Sequence, residues 1–319
     1  MKNLTAITTI LLVVLGVITH AAEPTVTDVT AKQRYPWNGL VDITCKVAGI
    51  NGTTNGLKFA MAAVMPDSCN ARYISHFWVV QGGTNSTDRN VHTNGNYRLL
   101  WDARADLAQE VYSNMVVRVT AEAHEKVQLW EGGPYWATTN IGADEPWEYG
   151  YYFWWGDTVG YKRQGDAWVA TDGSSSNFRF SSWPRPPTYD KPLATLESEG
   201  WVISKDGVYV LTPEHDAAQV QWGGVWRMPT YQELNDLCYN KCDWTWTTMN
   251  DVNGYVVRGR GDYASNKIFL PCAGRGVGTS LDYSGSEGCY WSSVPDSNNY
   301  YACELHLESS SHITSGSAH

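Results

Sequence analysis

The stretch Gln221-Trp-Gly-Gly-Val-Trp-Arg-Met-Pro-Thr-Tyr-Gln-Glu-Leu234 organises the second half of this 319-residue chain. Its pair of glycines indicates a turn, because glycine adopts positive φ angles at little cost. Pro229 holds the preceding residue outside the helical region, so a helix can begin only after the proline. Thr230 and Glu233 have the spacing of a capping box. The pattern predicts a turn, a short strand and an amphipathic helix from Tyr231 to about Tyr239.

Two neighbouring features add to this prediction. Arg227, between the predicted strand and the cap, is interpreted as the partner of a structural ion pair or of loop carbonyls rather than as a substrate contact. Upstream, the segment Leu211-Thr-Pro-Glu-His-Asp216 predicts a helix that begins at Pro213 with Thr212 as its cap, since proline is favoured at the first helical position. His215 lies between two carboxylates in that segment, and we interpret it as structural.

Residues 226–234, Trp-Arg-Met-Pro-Thr-Tyr-Gln-Glu-Leu, resemble the hallmark of a bacterial domain family, the Fibrobacter succinogenes major paralogous domain. That family is related to C-type-lectin-like folds and, more distantly, to formylglycine-generating enzymes and retroelement-diversified variable proteins. Further segments resemble the family in the same order: Trp136-Ala-Thr-Thr-Asn-Ile-Gly-Ala143, Tyr149-Gly-Tyr-Tyr-Phe-Trp-Trp-Gly-Asp157, Leu211-Thr-Pro-Glu-His-Asp216, Ile268-Phe-Leu-Pro-Cys-Ala-Gly274 and Tyr290-Trp-Ser-Ser293. The resemblance runs from Val127 to the end and implies a loop-rich α+β domain of the C-type-lectin-like class. It does not imply a ligand, because one fold hosts many functions.

The chain divides into a leader and two predicted domains. Residues 1–22 have the pattern of a secretory signal peptide, with an early lysine, a short apolar run and small residues before the cleavage site. A retained N-terminal anchor is the alternative, and it is disfavoured because no basic flank follows. We predict two domains, at residues 23–121 and 130–319, joined by a polar linker at residues 122–129. We expect an exported protein, secreted or at the cell surface, with no membrane span after cleavage.

Residues 23–121 are predicted to form an all-β sandwich of the immunoglobulin or fibronectin type. Residues 40–47 alternate, which places Val41, Ile43 and Cys45 on one strand face. An Asn-Gly pair marks a hairpin turn, and short strands at this spacing are typical of a sandwich. Two segments also resemble N-terminal β-domains of surface proteins from the same bacterial groups: Arg34-Tyr-Pro-Trp-Asn38 and Leu100-Trp-Asp102.

The composition restricts the classes of partner. The chain carries 33 acidic against 23 basic residues, which gives a formal charge of −10. Binding to a nucleic-acid backbone or to an anionic membrane surface depends on clustered lysine and arginine, so we expect neither partner. Apolar residues make up 43% of the chain, which is ample for two cores.

Seven cysteines in an exported chain predict disulfides. The candidates are Cys45, Cys69, Cys238, Cys242, Cys272, Cys289 and Cys303. Cys45 and Cys69 are the obvious N-terminal pair if the strand geometry permits it. The five cysteines of the second half leave one unpaired or bridging outward. Cys238 and Cys242 lack a second ligand pair at zinc spacing, so we do not interpret them as metal ligands.

Aromatic residues are the main indication of a ligand. The chain has 16 tryptophans and 19 tyrosines. Large aromatics either fill the core of a loop-rich fold or present a platform for sugar rings, and we interpret most of them as core. The predicted partner is a carbohydrate or a cell-surface protein. The predicted ligand-binding residues lie beside the polar C-terminal tail, which we interpret as a loop region: Tyr290, Trp291, Asn298, Asn299 and Tyr300.

No metal or cofactor is predicted. Glu304, His306 and Glu308 share one face of a predicted strand, and we interpret that face as solvated rather than as a cation site. Calcium-dependent lectins use Glu-Pro-Asn or Gln-Pro-Asp motifs. Residues 145–147 and 294–296 match neither motif, so calcium is possible on this fold but unsupported by the sequence. The cysteine arrangement of formylglycine-generating enzymes is absent as well.

The predicted function is that of an exported bacterial surface or secreted protein that binds or adheres through a lectin-like surface. We expect no enzymatic activity, because no catalytic residues can be placed. The alternatives are an enzyme or enzyme remnant on a formylglycine-generating-enzyme-like fold and a retroelement-diversified variable ligand-binding protein. Family members continue past this chain's end with a closing strand, so we expect either a truncated sequence or a missing strand that leaves a sheet edge unpaired.

Overall fold

The computed structural model describes residues 24–34, 38–50, 56–64, 71–81, 84–85, 89–107, 115–165, 167–172, 188, 191–277, 280–296 and 302–317. Several predicted features lie outside these residues: the signal peptide, Cys69, Asn298, Asn299 and Tyr300. Strands in small antiparallel sheets dominate the described part, with short helices between them, so the prediction of a β-rich and loop-rich protein is confirmed. None of the described helices combines the length and the apolar composition that a membrane crossing requires.

Residues 24–123, called the N-terminal region below, form two sheets. Their elements are β1 Thr25–Gln33, β2 Leu40–Ala48, β3 Leu57–Val64, β4 Ala71–Ile74, β5 Phe77–Gln81, β6 Thr84–Asn85, β7 Asn90–Val91, β8 Gly95–Asp102, α1 Ala103–Asp106 and β9 Val116–Ala123. One sheet has the order β1-β2-β8-β5-β6. In the other sheet, β3 pairs with β4, β7 and β9.

The two N-terminal sheets share one apolar core. The alternation predicted for β2 is confirmed, since Val41, Ile43 and Cys45 are buried between exposed or half-exposed neighbours. β3 alternates in the same way and contributes to the same cluster from the other sheet. Trp101 is fully buried there, and its Nε1 donates a hydrogen bond to Asp106 Oδ2 at 2.8 Å. The helical turn α1 thereby closes one end of the core.

Residues 124–317, called the C-terminal region below, contain small sheets and four short helical segments among the described residues. The elements are β10 Lys126–Gln128, β11 Tyr135–Ala137, β12 Tyr161–Gln164, β13 Ala167–Ala170, α2 Leu193–Ser198, β14 Val202–Lys205, β15 Val208–Leu211, α3 Ala217–Trp222, α4 Tyr231–Asn235 with its continuation Asp236–Lys241, β16 Cys242–Met249, β17 Val252–Gly259, the 3₁₀ turn Gly261–Tyr263, β18 Lys267–Pro271, β19 Arg275–Val277, β20 Ser280–Asp282, β21 Glu287–Pro295, β22 Ala302–Glu308 and β23 Ser311–Ser317. Two three-stranded sheets, β16-β17-β18 and β21-β22-β23, form its framework.

The capping box predicted before α4 is confirmed. The Glu233 backbone N–H donates to Thr230 Oγ1 at 3.2 Å, and the Thr230 backbone N–H donates to the Glu233 carboxylate at 2.8 Å. Helix α4 then continues as a π-helical turn that ends at Lys241, slightly beyond the predicted end. Arg227 donates two hydrogen bonds to the same carboxylate, at 2.8 and 2.5 Å. Its interpretation as a structural ion-pair partner is confirmed.

Helix α3 begins later than predicted. The expectation of Thr212 as cap and Pro213 as first helical residue is wrong, because Asp216 caps the helix. The buried Asp216 carboxylate accepts hydrogen bonds from the backbone N–H of Gln219 at 3.0 Å and from that of Met228 at 3.1 and 2.9 Å. One side chain therefore ties the start of α3 to the stretch that precedes α4.

The polar tail contains a strand that the sequence did not indicate. β23 pairs with β22 over its whole length in antiparallel register. It also reaches the helix that follows the capping box, since Thr314 Oγ1 donates to Asn235 Oδ1 at 2.5 Å and the Thr314 backbone N–H donates to the Tyr239 hydroxyl at 3.1 Å. The expectation of a polar loop is wrong for these residues, because pairing with β22 decides their conformation.

The described cysteines are free thiols rather than disulfides. This holds for six of the seven candidates: Cys45, Cys238, Cys242, Cys272, Cys289 and Cys303. The pairing predicted within the second half is therefore not present in the described structure. Most of these side chains lie in the apolar cores, where a thiol packs as a small hydrophobic group. Burial raises their pKa, that of Cys238 to about 11.

The two regions meet around His124, which falls within the predicted linker. His124 is 8% exposed and stacks on Trp222 with ring centroids 4.2 Å apart. Its Nε2 lies 3.1 Å from Asn90 Oδ1 in β7. An ion pair of 2.8 Å between Arg89 and Asp144 joins the two regions beside it. The junction therefore buries the imidazole of His124 between the Trp222 ring and the Asn90 amide.

Acidification is expected to destabilise this junction. Burial, together with the nearby Lys58 and His92, lowers the pKa of His124 from 6.5 to about 3. In the unfolded chain His124 binds a proton below about pH 6.5, whereas in the folded chain it does so only near pH 3. The free energy of unfolding therefore decreases as the pH is lowered from about 6.5 to 3. Between pH 7 and pH 5 the loss is about 2 kcal/mol. Urea unfolding at both pH values measures it.

The matched variant for this prediction is His124→Gln, which keeps an amide that can bond Asn90 but does not titrate in this range. We expect the pH-dependent loss to be smaller in the variant than in the wild type by about 2 kcal/mol. An equal loss in both proteins would show that His124 does not cause the pH dependence.

Candidate functional site

A cavity of about 300 Å³, called the aromatic cavity below, opens in the C-terminal region. Its wall includes eight half-buried aromatic side chains: Trp136, Tyr149, Tyr151, Tyr152, Phe153, Trp154, Tyr290 and Trp291. A volume of this size lies at the lower end of small-ligand pockets, which span roughly 300–1,000 Å³. Eight partly exposed rings therefore line one concave surface.

The aromatic segment that forms most of the wall is held by backbone hydrogen bonds. Gly150 has a φ of +72°, and a Cβ there would lie 2.4 Å from the carbonyl oxygen of Ile141, so this position requires glycine. The Tyr151 backbone N–H donates to that same carbonyl at 2.8 Å. Tyr152 exchanges backbone hydrogen bonds with Tyr161, the first residue of β12, at 2.7 and 2.9 Å. The rings therefore stand on a well-supported loop.

Two of the predicted ligand-binding residues do line this cavity, although neither is freely exposed. The Tyr290 hydroxyl donates to the carbonyl oxygen of Pro271 at 2.7 Å, and the Asn140 amide donates to the Tyr290 hydroxyl at 3.5 Å. Burial raises the pKa of Tyr290 well above its usual value. Trp291 Nε1 donates to the carbonyl oxygen of Phe153 at 3.0 Å. Both residues thus offer ring carbons to a ligand, because their polar atoms already have protein partners.

Other wall residues were not selected from the sequence as ligand-binding. Tyr149, Tyr151 and Tyr152 line the cavity, and Tyr152 is anchored by a hydrogen bond from its hydroxyl to the carbonyl oxygen of Ala273 at 2.7 Å. The signal that could have identified them is the density of aromatics on both sides of a glycine in residues 149–155. Trp155, from the same segment, is 6% exposed, belongs to the core and donates to the Ser292 carbonyl at 2.9 Å.

A second concavity of about 410 Å³, called the cationic cleft below, lies between the two regions. It shares Tyr149, Tyr151, Tyr152 and Trp222 with the aromatic cavity, so the two are adjacent. Its charged wall residues are Lys58, Arg89, Lys162, Arg163, Asp144 and Glu148. Four cationic side chains thus stand against two carboxylates, in a protein whose formal charge is −10.

The charges of the cationic cleft are not equally available. Arg89 is bound to Asp144, and Arg163 lies over the ring of Trp168 at 5.3 Å. Lys162 is half-buried, and desolvation together with the nearby Arg89 lowers its pKa. An anion in the cleft would relieve this repulsion between like charges.

The strand face that carries Glu304 and His306 is not solvated, in contrast to the prediction. Glu304 is 2% exposed and the His306 side chain is 15% exposed. The predicted alternation on β22 is correct, but this part of the face is buried, and His306 Nδ1 lies 3.5 Å from Cys289 Sγ on the paired strand β21. The opposite residues Leu305 and Leu307 belong to the core.

His215, which we interpreted as structural, stacks on Trp201 with ring centroids 3.9 Å apart. The ring contact gives this histidine a packing partner next to α3. Its carboxylate neighbour Asp216 serves as the helix cap instead of approaching the imidazole.

Comparison of the chain with protein-family models, with curated proteins and with solved structures gave no match. The family resemblance drawn from short motifs therefore stays a prediction. The geometry of the aromatic cavity and of the cationic cleft is the basis on which a function can be assigned.

Proposed function

We propose that this protein is an exported bacterial surface or secreted protein that binds carbohydrate in the aromatic cavity and acts as a binding or adhesion protein rather than an enzyme. The observation that carries the proposal is the wall of half-buried aromatic rings in a cavity of about 300 Å³. Aromatic rings bury large apolar areas with a defined geometry, and the C–H face of a sugar ring stacks on them. A wall of this kind favours ligands that stack.

The wall can accept a ligand without large rearrangement. Trp154 and Tyr149 are half-buried in its wall, while Tyr290 and Trp291 are held by hydrogen bonds to the carbonyl oxygens of Pro271 and Phe153. A preorganised wall lowers the entropy cost of binding, because the side chains do not need to be immobilised by the ligand.

The rest of the chain supports separate roles for two domains. The shared core of two antiparallel sheets in the N-terminal region supports a sandwich of the immunoglobulin or fibronectin type, which we assign the role of a spacer or docking module. The small sheets and short helices of the C-terminal region, together with the motif resemblance, support a C-type-lectin-like domain as the ligand-binding module. The signal-like leader supports export.

The cationic cleft favours a carbohydrate that carries negative charge. It adjoins the aromatic cavity through shared tyrosines and has four cationic side chains against two carboxylates. A uronic acid or another carboxylated sugar could stack in the cavity and place its carboxylate near Lys162. Opposite charges a few ångströms apart at the edge of a protein attract by several kcal/mol before desolvation is subtracted.

The proposal is tested by screening the purified protein against immobilised neutral and uronic-acid-containing oligosaccharides. We expect saturable binding, with acidic glycans preferred at low salt. Trp154→Ala and Tyr149→Ala should each weaken binding about tenfold, which corresponds to about 1.4 kcal/mol. Lys162→Gln should weaken the binding of acidic glycans and leave that of neutral glycans unchanged. Dissociation constants from biolayer interferometry measure each effect.

The matched controls are residues of the same type away from both concavities. Tyr73 in β4 is 86% exposed, so Tyr73→Ala should leave binding unchanged. Lys205 at the end of β14 is exposed and serves as the control for Lys162. Absence of binding by folded protein, or binding that survives both cavity variants, would contradict the proposal. If Lys162→Gln weakened the binding of neutral and acidic glycans equally, that result would contradict the role of charge.

A further inference from the structure

The strand pair β21–β22 brings together six side chains on one face. The register places Cys289 opposite His306, Glu287 opposite Glu308 and Trp291 opposite Glu304. Side chains directly opposite in an antiparallel pair lie on the same face, as do residues two apart along one strand. The register therefore gathers a thiol, an imidazole and three carboxylates within three alternate cross-strand pairs.

The donor atoms of this cluster lie close together. Cys289 Sγ is 3.5 Å from His306 Nδ1, and Glu304 Oε1 is 3.9 Å from the same nitrogen. All three donor atoms lie within 4.8 Å of one another. Around a tetrahedral zinc ion, bonds of about 2.3 Å to sulfur and about 2.0–2.1 Å to nitrogen and oxygen place ligand atoms roughly 3.4–3.6 Å apart. The observed S···N distance is in that range, and the N···O distance exceeds it by about half an ångström.

The other side of the imidazole has the surroundings of a metal ligand. His306 Nε2 lies 3.3 Å from Glu308 Oε1 and 3.9 Å from Glu287 Oε2. A histidine that binds metal through one nitrogen commonly donates its other N–H to a carboxylate, which orients the ring and increases its basicity. Here the carboxylates occupy that second position, so Nδ1 is directed toward Cys289 and Glu304.

The charge of the cluster also calls for a cation. Glu287 Oε2 is buried and has no hydrogen-bond partner within the described residues. Three carboxylates therefore surround one imidazole, with Arg275 as a nearby positive charge.

From this geometry we propose that Cys289, Glu304 and His306 bind a divalent transition metal of the zinc class, with Glu308 and Glu287 supporting His306. The donor set of sulfur, nitrogen and one carboxylate oxygen suits zinc and excludes calcium as the preferred ion, since calcium takes six to eight oxygen ligands. Binding replaces the thiol proton, which is released to solvent as the metal–sulfur bond forms. Three protein ligands leave one coordination position for water or an added ligand.

This metal site is independent of the proposed carbohydrate function. It depends on the β21–β22 register and on donor distances, whereas carbohydrate binding depends on the cavity wall. A metal held here would cross-link β22 to β21, the strand that carries Tyr290 and Trp291, and would thereby stabilise one side of the aromatic cavity.

The test uses the purified full chain, stripped with a chelator, kept reduced with a phosphine and then dialysed against Zn²⁺ or Co²⁺. We expect one metal ion per chain by mass spectrometry, and a near-ultraviolet thiolate-to-metal charge-transfer band in the Co²⁺ form. Added Zn²⁺ should raise the midpoint of thermal unfolding. Cys289→Ser should remove the charge-transfer band, and His306→Gln should weaken Zn²⁺ binding by at least about tenfold.

The matched control is Cys303→Ser. Cys303 lies on the same strand pair, is also a free thiol, and is 7% exposed on the opposite face. It should retain both the metal and the charge-transfer band. Substoichiometric metal, a Co²⁺ spectrum without the thiolate band, or equal binding by Cys289→Ser would overturn the proposal. Those results would leave the cluster as a set of hydrogen bonds between His306 and the neighbouring carboxylates, without a metal.

Discussion

Replacement of Trp101 by alanine is expected to lower the free energy of unfolding by about 4 kcal/mol. The side chain is fully buried at the shared core of the two N-terminal sheets, and no smaller residue can fill the space that an indole leaves. The variant also removes the hydrogen bond from Nε1 to Asp106 Oδ2, which is 2.8 Å long. Urea unfolding followed by far-ultraviolet circular dichroism measures the change.

The loss should have two separable parts. Trp101→Phe keeps most of the ring volume and removes the hydrogen bond, so we expect a smaller loss of about 1–2 kcal/mol. Asp106 keeps other partners in that variant, because the backbone N–H groups of Ser75 and His76 donate to it at 3.1 Å. Tyr73→Ala is the surface control and should change stability by less than about 0.5 kcal/mol. A Trp101→Ala loss as small as that of the control would contradict the assignment of Trp101 to the core.

Asp216→Ala is expected to lower the free energy of unfolding by about 3 kcal/mol. The carboxylate caps α3 through the backbone N–H of Gln219 and also binds that of Met228 with both oxygens. Alanine would leave both N–H groups without that acceptor, and the site is buried, so water cannot replace it at low cost. The same measurement of urea unfolding applies.

The outcome for Asp216 can be distinguished from a simple charge effect. Asp216→Asn keeps one acceptor oxygen and should lose less, about 1–2 kcal/mol. Glu214→Ala removes an exposed carboxylate two residues away and should change stability by less than about 0.5 kcal/mol. Losses that are equal for Asp216→Ala and Glu214→Ala would contradict the claim that the hydrogen bonds, rather than the charge, stabilise this junction.

Local patterns in the sequence were enough wherever the structure depends on neighbouring residues. The capping box of Thr230 and Glu233 uses groups three residues apart, and proline sets the helix start by a local steric clash. The alternation of β2 follows from burial of one strand face, so its inward residues were predicted correctly. The ion pair of Arg227 also lies within the same short stretch.

The helix start at α3 shows why such patterns fail. Thr212 and Pro213 have the pattern of a local helix cap. The helix is capped by Asp216, however, whose carboxylate also accepts a hydrogen bond from the backbone N–H of Met228, twelve residues after it. The prediction of a loop at β23 is wrong for the same reason. A polar segment becomes a strand when a partner strand such as β22 supplies its hydrogen bonds. A local sequence pattern identifies neither the Met228 N–H group as the partner of Asp216 nor β22 as the partner of β23.

The candidate sites divide along the same line. The sequence by itself determined that aromatics are concentrated in the second half, that Tyr290 and Trp291 are candidates for ligand contact, and that Glu304 and His306 share a strand face. Only the tertiary structure placed Tyr149, Trp154 and Trp291 in the wall of one cavity, and Cys289 opposite His306, because these residues come from different segments of the chain. A strand pattern gives the face of each side chain, whereas pairing with another strand decides whether that face meets water, an aromatic wall or a set of metal ligands.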